Sequence, residues 1–322
     1  MKKFTTLCLA AVMAISMAAC GGNSGSDKND QAAAQTDNAQ DTANESAADS
    51  ADESAAADDQ ADIEAAADTE AGAESEASVT QGESVEIGDI GYDHLIIGVD
   101  DTFAPMGFLD ENNNLVGFDI DMANAVAEKL GVTVEFQVIN WDMKEQELNQ
   151  GNVDLIWNGY SVTDERKEQV NFTDPYLDNE QVVVTMADSG ITSLEDLAGK
   201  VVAAQINSSA VEALDANPEI SDTFADRPEF DTNDMAIMDM EAGRSDAVVA
   251  DKVLLDYVIA HKDDPSQYMI LGEGFGSEEY AVGVRKDDEA LLAALNQALD
   301  ELKSDGTAAQ ISEKWFGADI VK

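Results

Sequence analysis

The stretch GNVDLIWNGYSVTDER, residues 151–166, indicates both the fold and the candidate site of this chain. Its apolar run at 153–157 predicts a parallel strand buried on both faces, and Asn158 begins the turn that ends it. Thr163, followed by two acidic residues, predicts a helix N-terminus. Arg166 then lies in the first helical turn, where cations oppose the helix dipole. A guanidinium just past a strand's carboxyl end predicts a carboxylate-binding site; a surface arginine is the alternative.

The N-terminus predicts export. Lys2 and Lys3 precede an apolar segment, residues 7–19, which is too short to span a bilayer. The segment ends in Met-Ala-Ala-Cys-Gly, which resembles the processing site of a bacterial lipoprotein with Cys20 as the lipidated residue. We therefore predict a signal peptide over residues 1–20 and a mature chain without an internal disulfide.

Residues 21–90 lack the side chains needed for a core. They include no aromatic residue, and nineteen of them are acidic while one is basic. This composition predicts a disordered, self-repelling tether with a root-mean-square reach of roughly 45 Å. We expect the tether to separate a membrane anchor from a folded domain; an acidic interaction tail is the alternative.

Residues 91–322 have the composition of a globular protein and are numerous enough for two small lobes. Predicted strands, among them residues 181–186 and 280–285, alternate with predicted helices, one of which ends at Gly131. This alternation indicates α/β architecture. The net charge of the whole chain, −50, argues against nucleic acid as a partner, because nucleic-acid binding needs clustered cations.

Polar side chains follow several predicted strands, where the carboxyl ends of neighbouring parallel strands meet. They are Asp100, residues 158–161, residues 205–209 and Asp251. A zwitterionic amino acid needs such a set: an arginine and a helix N-terminus for its carboxylate, and a carboxylate for its ammonium. Each of these residues, taken singly, is also explained as a turn, cap or core residue. The prediction therefore depends on all of them lying at the same edge of the predicted sheet.

Several motifs are spaced along residues 92–317: Gly117-Phe118-Asp119-Ile120-Asp121-Met122, Thr163-Asp164-Glu165-Arg166, Phe172-Thr173-Asp174-Pro175-Tyr176 and Lys314-Trp315-Phe316-Gly317. With these motifs in this order, the chain resembles the polar amino acid-binding proteins of bacterial ABC importers, which form solute-binding family 3. The resemblance implies a two-lobed α/β fold of the periplasmic-binding-protein type II. Lobe 1 would comprise residues 91–182 and 283–322 and lobe 2 residues 183–282. Two hinge strands, near residues 181–183 and 280–282, would join them.

The resemblance also implies roles for single residues. Asp100 and Asp251 match positions that hold a ligand's ammonium. Phe103 and Trp141 match an aromatic clamp, and Arg166 matches the carboxylate-binding arginine. Further ligand contacts are expected from Asp119, Asn158, Gly159, Ser161, Gln205, Ser208 and Ser209. The chain departs from the family at Asn207, where glycine is common and where Asn tolerates positive φ, and at Ala250, which leaves the ligand open.

We therefore expect an extracytoplasmic, lipid-anchored receptor that delivers a free polar amino acid to an ABC permease as a monomer, with no cofactor or metal. A neutral ligand is expected first and a cationic one second. Loss of Arg166 is expected to abolish binding without lowering the stability of the ligand-free protein. An exported dehydratase-like enzyme on the same fold is the alternative, although no catalytic signature is present and the two histidines lie away from the motifs.

Overall fold

The computed structural model describes residues 90–322, so the predicted signal peptide, Cys20 and almost all of the predicted tether lie outside the described residues. The strands are β1 (His94–Val99), β2 (Thr102–Phe103), β3 (Gly107–Leu109), β4 (Leu115–Val116), β5 (Thr133–Val138), β6 (Leu155–Ile156), β7 (Asn171–Phe172), β8 (Leu177–Met186), β9 (Val202–Gln205), β10 (Glu229–Phe230), β11 (Ala247–Asp251), β12 (Tyr268–Ile270), β13 (Gly276–Tyr280) and β14 (Gly283–Val284). The α-helices are α1 (Phe118–Leu130), α2 (Lys144–Gln150), α3 (Asp164–Gln169), α4 (Ser209–Asp215), α5 (Pro218–Ser221), α6 (Asn233–Glu241), α7 (Lys252–Ala260), α8 (Glu289–Ser304) and α9 (Thr307–Phe316).

The first large sheet has the order β5-β1-β6-β14-β7. Strand β1 is parallel to β5 and β6, whereas β14 is antiparallel to β6 and β7. Helix α1 packs against α8 and α9. Its buried face contains Ile120, Ala123 and Val126, as the helical spacing predicts, and Gly131 ends it with a φ of 69°.

The second large sheet has the order β10-β9-β11-β8-β12, and β13 also pairs with β8. The C-terminal half of β8 lies in this sheet against β11 and β12, whereas its N-terminal half pairs with β13 from Leu177 to Gln181. The chain passes between the two sheets from β7 into β8 and returns from β13 into β14. The antiparallel β8–β13 pair fits the expected pair of hinge strands; the lobe boundaries themselves stay a prediction.

Several predicted elements differ in length from the observed ones. The strand predicted at 153–157 comprises only Leu155–Ile156. The strand predicted at 280–285 is divided between β13 and β14, because Ala281 donates to Tyr160 and Val282 donates to the Thr173 hydroxyl at the crossing. Strand β8 begins four residues before the predicted start at 181, since its first residues pair with β13 rather than with the second sheet.

Candidate ligand-binding site

The structure brings the predicted site residues together where the two large sheets face each other, and it buries their side chains. The buried members are Asp100, Phe103, Asp119, Trp141, Asn158, Gly159, Ser161, Arg166, Gln205, Ser208, Ser209 and Asp251. Polar groups from one sheet contact polar groups from the other: Gln205 Nε2 donates to Asp100 Oδ2 at 2.9 Å, and Ser161 Oγ lies 3.0 Å from Ser209 Oγ. The site is therefore closed in this structure.

Arg166 lies in the first turn of α3, which the Thr163 hydroxyl caps by accepting from the Arg166 N–H. Its side chain is 3% exposed, so it is not a surface arginine. Nη1 donates to the Ser161 carbonyl at 3.0 Å, and the guanidinium lies 4.9 Å from the Tyr160 ring centroid. Nε lies 3.0 Å from Glu212 Oε1, an ion-pair distance, but the N–H is not aligned with an oxygen and has no hydrogen-bond partner among the described residues.

A second buried cation lies beside Arg166. Lys144 is fully buried; its ammonium donates to the Asn207 carbonyl at 2.8 Å and lies 3.4 Å from Glu145 Oε1. Burial first, and then the charge of Arg166, lowers the pKa of Lys144 to about 8. Glu145 also accepts from the Tyr160 hydroxyl at 2.8 Å. We call Arg166, Lys144, Glu145 and Glu212 the cationic end of the site.

At the other end, Asp251 is buried where β11 ends. Its Oδ1 accepts from the Tyr280 hydroxyl at 2.6 Å and from Asn179 Nδ2 at 2.7 Å. Burial, followed by the charge of the neighbouring Glu278 and a hydrogen bond with it, raises the pKa of Asp251 well above its usual value. We call Asp251 and Glu278 the anionic end.

Asp119 lies in the core beneath the site, in the first turn of α1. Its carboxylate accepts from the Gly159 N–H at 2.6 Å, while the Trp157 indole and Tyr176 hydroxyl lie beside it without well-aligned hydrogen bonds. Burial raises its pKa to about 7, and the Gly159 N–H partly opposes the rise. Its place indicates that Asp119 positions the loop after β6; direct contact with a ligand stays a prediction.

The loop after β6 supplies an unpaired amide. Asn158 is 1% exposed, and neither its Oδ1 nor its Nδ2 has a hydrogen-bond partner within residues 90–322. Gly159 has a φ of 57°, and a Cβ there would lie 2.7 Å from the Phe103 ring. The loop therefore packs directly on Phe103 and leaves a buried amide, which is costly unless a partner completes it.

The remaining predicted residues form the wall and floor around these groups. Trp141 meets Tyr160 edge to face, with ring centroids 5.9 Å apart. Ser208 donates from Oγ to the Gln205 carbonyl at 2.8 Å and precedes α4. Asn207 has a φ of 52°, which confirms that asparagine occupies the left-handed region here.

Sequence reasoning missed Lys144, Glu145, Glu212 and Glu278. Each of them lies in a segment whose charged residues are expected to face solvent, because no local sequence pattern distinguishes a buried charge from an exposed one. The one available signal was the position of Glu278 directly before the predicted hinge at 280–282. Within residues 90–322, no cluster of three or more metal-binding side chains is present, and no helix has the length and apolar character to cross a bilayer.

Known amino acid-binding proteins resemble this chain. Residues 95–318 match the family model described as bacterial extracellular solute-binding proteins, family 3. The L-cystine-binding protein TcyJ of Escherichia coli is 32% identical over 71% of this chain and 84% of its own length. The arginine-binding extracellular protein ArtP of Bacillus subtilis is 31% identical over 73% and 91%.

A solved structure of a substrate-binding protein also resembles this chain. A substrate-binding protein of an ABC uptake transporter from Streptococcus pneumoniae, with bound histidine, is 42% identical and has a TM-score of 0.71 over 72% of this chain and 96% of its own. These relatives confirm the predicted two-lobed α/β fold and do not support the enzyme alternative. The chain belongs to family 3 of the bacterial extracellular solute-binding proteins, and it is an extracytoplasmic substrate-binding protein rather than an enzyme.

Proposed function

We propose that the protein binds a free polar amino acid between its lobes and delivers it to an ABC permease. The observation that carries the proposal is the charge arrangement of one closed, buried site. Arg166 stands at one end with its terminal nitrogens near the Ser161 and Asn207 carbonyls, and Asp251 stands at the other without an ion-pair partner among the described residues. A zwitterion supplies a carboxylate for the first end and an ammonium for the second.

The individual roles follow from this geometry and from the family resemblance. Arg166 would take the ligand carboxylate, assisted by Ser161, Ser208 and Ser209. Asp251 and Asp100 would take the ammonium. Asn158 offers its unpaired amide and Gln205 its carboxamide to a polar side chain, while Phe103 and Trp141 enclose the ligand.

The charges favour a neutral polar ligand, with a cationic one as the second candidate. Arg166 is assigned to the first ligand carboxylate and Lys144 already has Glu145 beside it, so a second ligand carboxylate would have no free cation. Relatives named for cystine, histidine and arginine support the inclusion of cationic ligands. Aspartate and glutamate are therefore disfavoured.

A thermal-shift screen of the amino acids tests this proposal. A ligand at 100 times its Kd stabilises the folded state by about 2.7 kcal/mol, which is readable as a rise in melting temperature. We expect the largest shift from a neutral polar or cationic amino acid. A largest shift from aspartate or glutamate would overturn the ligand preference, and no shift from any amino acid would overturn the function.

We further propose that the protein is a monomer anchored to the membrane through a lipid on Cys20, with residues 21–90 as a spacer. The motivating observations are the lipoprotein-like sequence around Cys20 and the acidic composition of the spacer. Labelling with a palmitate analogue should depend on Cys20. A Cys20→Ala protein that still partitions with membranes would contradict the anchor, and a dimeric mass in light scattering would contradict the monomer.

A further inference from the structure

The anionic end contains a carboxylate that the family resemblance does not assign. Glu278 lies on β13, and its Oε1 accepts from Asn179 Nδ2 at 2.7 Å, Ser161 Oγ at 2.8 Å and Gln181 Nε2 at 2.9 Å. The Ser209 hydroxyl lies at 3.4 Å. Two of these donors, Ser161 and Ser209, belong to the predicted ligand site. Glu278, which is partly buried, is therefore part of the site's polar network.

Asp251 is free to act in this network because it does not cap the helix that follows it. It stands at the N-cap position of α7, yet its side chain makes no capping hydrogen bond. Asn179 caps the helix instead, with Oδ1 accepting from the Val253 N–H at 3.2 Å. The same Asn179 amide donates to both Asp251 and Glu278, so it draws the two carboxyl groups together.

No cation neutralises this carboxyl pair within residues 90–322. The groups that donate to it are amides and hydroxyls, including the Tyr280 hydroxyl. Glu278 also lines a cavity of about 730 Å³, and the two lysines of that lining have other partners: Lys252 pairs with Asp256, and Lys167 pairs with Asp164. Glu180 also lines this cavity and adds a further negative charge.

Asp251 and Glu278 share the Asn179 amide as donor, and Asp251 is buried, so the two carboxyl groups do not both stay ionised. Three donors converge on Glu278 Oε1 within 2.9 Å, so this oxygen is an acceptor. Asp251 is 4% exposed and its pKa is raised by burial, which places the shared proton on Asp251, from where it is donated to Glu278. The pair with its proton carries one net negative charge.

We propose that Glu278 is a second carboxylate of the ammonium subsite, sharing one proton with Asp251 in the ligand-free protein, and that the ligand's ammonium group replaces this proton on binding. This inference rests on the proposed function. The ammonium keeps its own three protons and donates them to Asp251, Glu278 and the Ser161 hydroxyl. The displaced proton leaves to solvent, and the occupied pair again carries one net negative charge.

Infrared difference spectroscopy of the ligand-free protein tests the pair without any ligand. Subtracting the spectrum of Asp251→Asn from that of the wild type near neutral pH should leave the carbonyl band of a protonated carboxyl group. The subtraction is needed because Asp119, with a pKa of about 7, contributes a similar band. Absence of the difference band would overturn the proposal whatever the protein binds.

Glu278→Gln tests the coupling, with Glu279→Gln as its matched control on the same strand. The titration midpoint of the Asp251 band should fall by about one pH unit or more in Glu278→Gln, because interacting carboxyl groups separate their pKa values by about that amount. It should stay unchanged in Glu279→Gln, whose carboxylate pairs with Lys322. An unchanged midpoint in Glu278→Gln would overturn the pairing.

Calorimetric titration with L-glutamine and with L-arginine, in buffers of different ionisation enthalpy, measures the proton exchange. The wild type and Glu279→Gln should release about one proton per bound ligand, and Glu278→Gln clearly less. Binding to the wild type without proton release would overturn the exchange while leaving the proposed function intact. If neither amino acid binds, the proposed function fails for these probes, and the infrared measurement still decides whether Asp251 and Glu278 share a proton.

Discussion

The two ends of the candidate site neutralise their charge in different ways. At the cationic end, Arg166 lies 3.0 Å from a Glu212 oxygen and Lys144 lies 3.4 Å from a Glu145 oxygen, so each cation has a carboxylate from the chain itself. At the anionic end, Asp251 and Glu278 have amides and hydroxyls as neighbours but no cation within the part of the chain that the structure describes.

This difference indicates what each end does before a ligand arrives. The cationic end is balanced internally, so it keeps its shape in the ligand-free protein and presents an oriented guanidinium. The anionic end needs a positive charge that residues 90–322 do not supply, either a proton from solvent or the cationic group of a ligand. Loss of a residue at the cationic end should therefore lower both stability and affinity, whereas loss of Asp251 should lower affinity without lowering stability at neutral pH.

The largest expected effect is that of Arg166→Ala. Removing one member of a buried charge pair costs roughly 3–5 kcal/mol, or two to four powers of ten in Kd, so binding should become unmeasurable. Because the change also leaves the Glu212 carboxylate without its ion-pair partner, we now expect a lower melting temperature for the ligand-free protein, contrary to the expectation from sequence. Arg166→Lys keeps the charge but loses the fork and should retain weak binding. Unchanged affinity in the alanine variant, measured by calorimetric titration, would refute the assignment of the cationic end.

Asp251→Asn, unlike Arg166→Ala, should weaken binding without lowering the stability of the ligand-free protein at neutral pH. Binding should weaken by about 2–5 kcal/mol, because a buried charge partner of the ligand is lost. The raised pKa of Asp251 means that the folded state holds its proton at pH values where the unfolded state has lost it. Wild-type stability therefore falls as the pH rises from the ordinary aspartate value towards the raised one, and the asparagine variant lacks this fall. Urea unfolding of both proteins at several pH values measures this difference. An asparagine variant that is less stable than the wild type at neutral pH would contradict the proposed difference between the two ends of the site.

Asp119→Asn shows whether pH dependence and binding can be separated. Burial raises the pKa of Asp119 from 3.8 to about 7, so wild-type stability should fall over that window by up to about 1.4 kcal/mol per pH unit. The stability of the asparagine variant should vary less with pH over the same window. Its affinity should be nearly that of the wild type, because Asp119 supports the loop after β6 from below. A loss of affinity as large as that of Asp251→Asn would instead make Asp119 a ligand contact.

The smallest expected effect is that of Glu212→Gln. Its carboxylate is 24% exposed, so its ion pair with Arg166 is partly screened and contributes about 1 kcal/mol or less. We expect a loss of affinity of about fivefold or less, since Arg166 keeps its contact with the Ser161 carbonyl. Asp215→Asn on the same helix, which removes a surface pair with Arg227, should leave Kd unchanged. Equal effects of the two variants would show that Glu212 has no special role.

Much of the fold was predictable because its signals are local. Gly131, with a φ of 69°, ends α1, and Thr163 caps α3 with a side-chain hydrogen bond, both at the predicted positions. The buried face of α1 follows from its apolar spacing, and β11 is buried along its whole length, as a continuous apolar run predicts. Strand ends were less predictable: Val153 and Trp157 are as apolar as β6 itself, and pairing with β1 and β14 decides where the strand stops.

The sequence alone determined which residues stand at the ends of strands, and hence the polar edge around Asp100, Asn158, Arg166 and Asp251. Motif spacing alone also indicated the family. The tertiary structure decided the charge balance of that edge. Glu212 reaches Arg166 from α4, and Glu278 reaches Ser161 and Asp251 from β13, which pairs with β8, so each contact joins segments that are distant in the sequence. A charged residue on a helix or strand has the same local pattern whether it faces water or another buried charge, so only the fold distinguishes the two.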